Sequence, residues 1–310
     1  MALLRSLLRS RASTVRARAR DITRVVSSDA SSATFEFGDA QARYYDDVLV
    51  DGIFKPWTES MFETSRPVAG DRVLDVATGT GVVAREIARA VGSTGKVTAL
   101  DNSPGMLNRA RSKPADADAA TISYVEEDAC ASTTLPSREF HRAYCQQGLQ
   151  FMPDPAAAMR AVLASLQPGG HFTAAVWSPA SAESNQTIYH LCEALRDVGK
   201  DDWVDVADKP MSWSTTDAAG VSKLEDCLVD AGFINPDAHV EDGEFRFKDM
   251  ATAVDIAKVG PFGEALAADE ALWNAFRENY AARLARFERP DGAVIVPARS
   301  FIAHGVAPWN

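Results

Sequence analysis

Val73-Leu74-Asp75-Val76-Ala77-Thr78-Gly79-Thr80-Gly81 is an apolar run that breaks at two glycines, and the next apolar run, Val97-Thr98-Ala99-Leu100-Asp101, closes on an acid. Short, almost wholly apolar runs of this kind read as parallel strands buried on both faces. At Gly79 and Gly81 the missing Cβ lets the chain turn tightly and approach a ligand. A helix expected over Val82 to Ala90 then points its free N–H groups at that ligand. Asp101 stands where a carboxylate can accept both hydroxyls of a ribose. Gly79-x-Gly81-x-x-Ala84 would also suit a nicotinamide dinucleotide. Asp75, inside the strand, argues against it, because a carboxylate beside a pyrophosphate repels it and one beside a cationic tail attracts it. The pattern fits a nucleoside with a charged amino-acid tail, as in S-adenosylmethionine.

Four further stretches follow in order: Leu100-Asp101-Asn102-Ser103-Pro104-Gly105-Met106-Leu107, Glu126-Glu127-Asp128-Ala129, Cys145-Gln146-Gln147-Gly148-Leu149-Gln150-Phe151-Met152-Pro153-Asp154, and Leu166-Gln167-Pro168-Gly169-Gly170. Together with the first run, from Gln41 to Val176, they resemble the class I S-adenosylmethionine-dependent methyltransferases, and within them the group that includes the ubiquinone and menaquinone C-methyltransferases. By position the resemblance implies that Asp75, Ala77, Gly79 and Gly81 line the methionine half of the cofactor. Asp101 would hold the ribose, with Asn102 also at the cofactor; Met106 would pack on the adenine, and Asp128 and Ala129 would meet its amino edge. Gln146 and Gln147 would end strand four beside the transferable methyl. Phe140-His141 and Glu127 depart from the group's usual residues, and substrate does not transfer with fold.

The expected fold class is α/β: a Rossmann-like, doubly wound, seven-stranded, mostly parallel sheet with a helical cap. Strands are expected at Val73, Val97, Ile122, Ala143 and Phe172, alternating with helices, then near Ala238 to Phe247 and Ala293 to Ala303. A helix is expected from about Ala40 to Thr64; similar helices in the family the chain resembles close over the cofactor, so the resemblance implies that Tyr44 or Tyr45 gates the methionine end. The segments Ser178 to Val229 and Met250 to Phe287 are expected to form the cap. The domain reading is a basic, targeting-like or disordered segment over 1–30, a cofactor-binding core over 31–177, and cap helices plus the last two strands over 178–310.

The 310 residues are 46% hydrophobic, ample for a core, with a net charge of -11. The stretch from Met1 to Arg20 holds six arginines and no acid, so the remainder is more acidic still and repels nucleic acid and anionic membranes. Arginine-rich, serine-containing and acid-free is the composition of a mitochondrial or plastid transit peptide, the alternative being a cytoplasmic protein with a basic tail. Ser27 to Thr34 reads as a linker, with folded chain from near Phe35. No apolar run is long enough for integral membrane association. Cys130, Cys145, Cys192 and Cys227 lack metal-type spacing, so no metal is expected, and Cys145 reads as a packed thiol. The expected assembly is a monomer or homodimer.

The expected function is methyl transfer from S-adenosylmethionine to a small-molecule acceptor, an oxygen, carbon, nitrogen or sulfur nucleophile. Such transfer mainly needs alignment in a dry pocket, which supplies about 7 to 11 kcal/mol. Candidate acceptor contacts are Gln147, Trp177, Tyr45 and Arg299, the last for an acceptor carboxylate. His190, Tyr189 and Glu193 share one plausible helix, but a packed or solvated face is the plainer reading. The alternatives are a cofactor-binding assembly factor of an organelle and an NAD(P)-dependent oxidoreductase.

Overall fold

The computed structural model describes residues 39–132, 134–259 and 262–310. The targeting-like segment 1–30 and the linker Ser27 to Thr34 lie outside the described residues. Seven strands among the described residues form one sheet: β1 (Arg72–Val76), β2 (Lys96–Asp101), β3 (Thr121–Glu126), β4 (Phe140–Gln146), β5 (Leu166–Trp177), β6 (Ile234–Phe247) and β7 (Val294–Val306). Their order is β3-β2-β1-β4-β5-β7-β6, and only β7 runs against its neighbours. The stretch Leu166 to Gly170, which the resemblance implies to be the turn before the fifth strand, is the first part of β5; the register with β4 jumps there, from Phe140↔Leu166 to Arg142↔His171.

Strand alternation distributes the core. Leu74, Val76, Ala143, Cys145, Phe172 and Val176 face one side and pack with the helices Pro155–Ser165 and Asp217–Ala231. Val73, Val97, Ala99, Tyr144 and Ile302 face the other, under the helices Lys55–Thr64 and Val82–Val91. The helix Asp217–Ala231 therefore belongs to the sheet layers, which corrects its assignment to the cap: its Leu224, Leu228 and Ala231 are buried against Phe301 and Phe233 rather than over the carboxyl edge.

The long hairpin of β6 and β7 builds the cap's base. β7 meets β5 only from Ser300 to Val306. Residues 294–299, paired with 242–247, continue past the end of β5, and their Phe245, Phe247, Val294 and Val296 form a second core. On it sit the helices Gln186–Asp197, Val204–Asp208, Met250–Asp255, Gly263–Ala268 and Glu270–Leu284.

The leading helix runs from Asp39 to Thr64 as expected, but its centre, Tyr45–Phe54, is π-helical. Such wide turns are rare and gather at functional sites. Here the turn carries Gly52 against β6, where a Cβ would stand 1.9 Å from the carbonyl oxygen of Arg246.

On the sheet itself, His171 Nδ1 and His304 Nε2 lie 3.0 Å apart on β5 and β7. Burial first, then Arg142 for His171 and the neighbouring imidazole for His304, holds both below the ordinary histidine value of 6.5. A depressed pKa in the folded state means that the neutral pair contributes its stability above about 6.5 and loses it as the pH falls below. The melting temperature is expected to fall more steeply between pH 7 and pH 5 (about two units across the histidine range) in the wild type than in His304→Gln. Parallel slopes in a thermal-shift titration would remove the pair from the acid response.

Candidate functional site

The carboxyl ends of β1, β2 and β4 meet at the glycine turn. Gly79 has φ 54° and open space around the position of a Cβ, so its backbone is bared to the cavity. Its N–H donates to Asp101 Oδ2 (2.8 Å), while the Ser103 N–H donates to Oδ1 (2.9 Å). Asp101 thus ties the turn to the end of β2. Burial raises its pKa, and the two N–H donors pull it back. A carboxylate has about four lone-pair sites, so acceptor capacity remains for a diol.

A cavity of about 770 Å³ opens above these ends, within the range of small-molecule sites. Toward β2 and β3 it is polar and acidic, lined by Asp101, Asn102, Asn108, Glu127 and Asp128 with Met106 and Ala129 beside them. Asp128 Oδ1 accepts from the Cys130 N–H (2.9 Å), and Glu127 is bonded to Thr134. Toward β5 and β6 the cavity is walled by Leu49, Ile53 and Phe54 of the π-helical turn, Trp177, Phe245, and Ile188, Leu191, Met211 and Phe262 of the cap. No lysine, arginine or histidine lines it among the described residues.

Tyr45, Trp177, Gln146 and Gln147 all reach this cavity, as expected. Tyr45 packs tilted against Phe54 (4.8 Å between ring centroids), which leads to Trp177 (5.9 Å) and on to Phe245 (5.2 Å, edge to face). Burial, with the Asp101 and Asp46 carboxylates adding to it, pushes the Tyr45 phenol well up, so it stays protonated and cannot serve as a base near neutrality. Tyr44 points away and donates to the Asp255 carbonyl. Gln146 is held by the Thr58 hydroxyl (2.8 Å) and the Phe54 carbonyl (2.9 Å). Gln147 donates from Nε2 to Ser300 Oγ (2.9 Å), and its buried Oε1 has no hydrogen-bond partner among the described residues.

Three expectations need correction. Asp75 does not face the cavity: alternation along β1 sends it beneath the turn, 1% exposed, where it accepts from Thr78 Oγ1 (2.5 Å) and the Ala84 N–H. Burial pushes its pKa up to about 7 against those bonds, so it shapes the turn and its field rather than touching a ligand. Gly81, at φ 77°, is turned toward Tyr124 and Arg85 and likewise builds the turn. Arg299 lies outside the cavity because Asp217 (3.0 Å) and Asp242 (2.5 Å) take its guanidinium from two sides. His190 is also elsewhere, beside Phe287 and Arg286, since Ile188 and Leu191 take the cavity face of their helix. Cys145 is fully buried in the core, as read from its strand. The sequence reading missed the π-helical side chains, Phe245, Phe151 and the cap contacts; the spacing of Leu49 with Ile53 and of Ile188 with Leu191 was the available signal.

Bared glycine backbone, a clamped acid at β2 and a cation-free acidic end suit a nucleoside with a positively charged tail, the group of proteins built to hold S-adenosylmethionine. Residues 73–170 match the family described as a methyltransferase domain. A ubiquinone/menaquinone biosynthesis C-methyltransferase of Ectopseudomonas oleovorans is 35% identical over 137 residues, 43% of this chain and 80% of that one. Its counterpart in Pseudomonas aeruginosa is 31% identical over 156 residues, 49% of this chain and 60% of the relative. The chain thus spans about three fifths of the length of the latter. In fold it is similar to a phosphoethanolamine N-methyltransferase 2 of Haemonchus contortus in complex with S-adenosyl-L-methionine, at TM-score 0.53 and 16% identity, covering 88% of this chain and 58% of that one. The chain belongs to the class I S-adenosylmethionine-dependent methyltransferases. The dinucleotide alternative falls with this, and the antiparallel β7 inserted beside β5 also departs from the dinucleotide-binding strand order.

Proposed function

We propose that the protein transfers a methyl group from S-adenosylmethionine to a small, uncharged acceptor with an aromatic or quinol-like ring, held under the cap. The observation that carries this reading is one continuous cavity that runs from the acidic end at Asp101 and Asp128 to a wall of Tyr45, Phe54, Trp177 and Phe245, with no basic side chain among the described residues that line it. An acceptor carboxylate or phosphate would meet no counter-charge there and would lose its hydration uncompensated. Flat rings match the edge-to-face and offset geometry of those side chains. The relatives named for ubiquinone and menaquinone biosynthesis support an acceptor ring of that class.

The cofactor, when bound, supplies an already activated methyl group. The residues do the rest by placement: Asp101 and Gly79 seat the nucleoside and its tail, Met106 and Ala129 flank the base, and the aromatic wall orients the acceptor ring and keeps water out. No titratable cap residue among those described lines the chamber.

Calorimetric titration with S-adenosylhomocysteine and with NADH, followed by labelled-methyl transfer to a panel of neutral phenols and hydroquinones and of carboxylate- and phosphate-bearing acceptors, tests the reading. Binding of the first ligand alone, with turnover confined to the neutral rings, is expected. Turnover of the anionic acceptors instead would overturn the acceptor class. Binding without turnover of any acceptor would favour the assembly-factor alternative.

A further inference from the structure

Two residues with side chains hold left-handed backbone on the cavity wall: Ala77 (φ 56°) where β1 ends and Gln147 (φ 54°) where β4 ends. β1 and β4 are paired neighbours, so these elbows lie side by side with Gly148 next to them. A Cβ on Gly148 would fall 2.6 Å from the Cβ of Ala77 and 3.0 Å from Cys145 Sγ. The Ala77 methyl therefore occupies the space that a side chain at 148 would need. Left-handed backbone is costly for any residue with a Cβ and free for glycine, so alanine at 77 stands against local preference. Strain of this kind persists where the surroundings enforce it, and it gathers at functional sites.

The wall opposite Ala77 cannot follow a shift. The Gln147 N–H donates to the Ala175 carbonyl (2.8 Å), its side chain is bonded to Ser300, and the Ser300 hydroxyl donates to the Val176 carbonyl (2.9 Å). On the near side the Thr78 N–H donates to the Leu100 carbonyl (2.9 Å), and Gly79 is held by Asp101. We propose that Ala77 is a positioning residue whose methyl is a wedge between the glycine turn and the Gln147-Gly148 elbow, setting the seat of the methyl donor against the acceptor chamber. The inference rests on the reading of this cavity as the donor's seat.

Moving the methyl across the gap tests it. Gly148 has φ -104° and ψ -39°, a conformation open to alanine, so in Ala77→Gly/Gly148→Ala the methyl returns from the other side without left-handed strain. The readouts are the melting temperature and calorimetric affinity for S-adenosylhomocysteine. Ala77→Gly is expected to melt about 2 °C higher yet to bind about three- to tenfold more weakly, because a contact is lost and a looser turn must be ordered. Gly148→Ala alone should melt lower, from the clash. The double variant should regain affinity to within about twofold of wild type. Unchanged affinity in Ala77→Gly, or a double variant no tighter than Ala77→Gly, would sink the wedge while leaving the donor site intact. Wild-type protein that binds no S-adenosylhomocysteine would remove the donor site and the wedge with it.

Discussion

Asp101→Ala is expected to weaken S-adenosylhomocysteine binding at least about 100-fold while leaving the melting temperature within about 2 °C of wild type. The loss is large because the carboxylate has two jobs at one place. It can accept the ribose hydroxyls, each charge-assisted bond being worth about 1.5 to 3 kcal/mol, and it holds the Gly79 N–H that fixes the turn. The stability change is small because two terms oppose. Alanine forfeits the bonds from Gly79 and Ser103, yet it also relieves a buried carboxylate whose pKa burial has raised. Asp101→Asn, which keeps an acceptor for one N–H, should fall between. Affinity within about threefold of wild type in the alanine variant would take the ribose away from Asp101.

Gly52→Ala is expected to destabilise the protein by about 1 to 3 kcal/mol and to cut acceptor turnover more than tenfold, although alanine in place of a helical glycine ordinarily stabilises by about 1 kcal/mol. Sterics decide the sign. The new Cβ would stand 1.9 Å from the Arg246 carbonyl oxygen, a backbone atom of β6 held by its pairing with Ile295 on β7. The π-helical turn must then retreat, and with it Tyr45, Leu49, Ile53 and Phe54, which line the chamber. The seam has a second close approach, where a Cβ on Gly243 would fall 2.6 Å from the Trp57 ring. Because the polar end at Asp101 and Met106 is built from other elements, affinity for S-adenosylhomocysteine should fall much less than turnover. Equal losses in both would mean that the turn supports the whole cavity rather than its acceptor end. A raised melting temperature would show that β6 yields.

The ion pairs beside the turn bear on the same seam. Asp46 is buried and accepts from Arg109 Nε (2.8 Å), with Lys113 on the same carboxylate. Arg109 and Lys113 are on or just beyond the helix whose first turn supplies Met106 to the cavity. The leading helix is thereby tied to the helix that carries Met106 as well as to β6, and these ion pairs hold its first turns in place when the turn at Gly52 is displaced.

Much of this was legible in the chain because it is written in local pattern. Apolar runs buried on both faces, glycines at turns that need positive φ, and an acid closing β2 follow from backbone sterics and burial alone, and they fixed the sheet, the glycine turn and the place of Asp101. Trp177 and Gln147 were found beside such elements, whereas Tyr45 was legible only through the resemblance, as a residue of the helix that closes over the cofactor. Three other assignments went astray where direction, not pattern, decides. Asp75 lies one face away from the ligand, Arg299 is captured by Asp217 and Asp242 from distant segments, and the helix Asp217–Ala231 packs on the sheet although it lies between two cap segments in sequence.

By itself, then, the sequence determined the parallel core and the acidic, glycine-bearing end that suits the methyl donor, since each strand, turn and strand-closing acid is written in its own local run of residues. Only the tertiary structure decided the acceptor end. Its wall joins Phe54, Trp177, Leu191 and Phe245, brought together by packing between elements far apart in the chain, whose pairing no local spacing specifies. The strained Ala77 methyl and the bare backbone of Gly52 acquire meaning only from what stands 2.6 Å and 1.9 Å away.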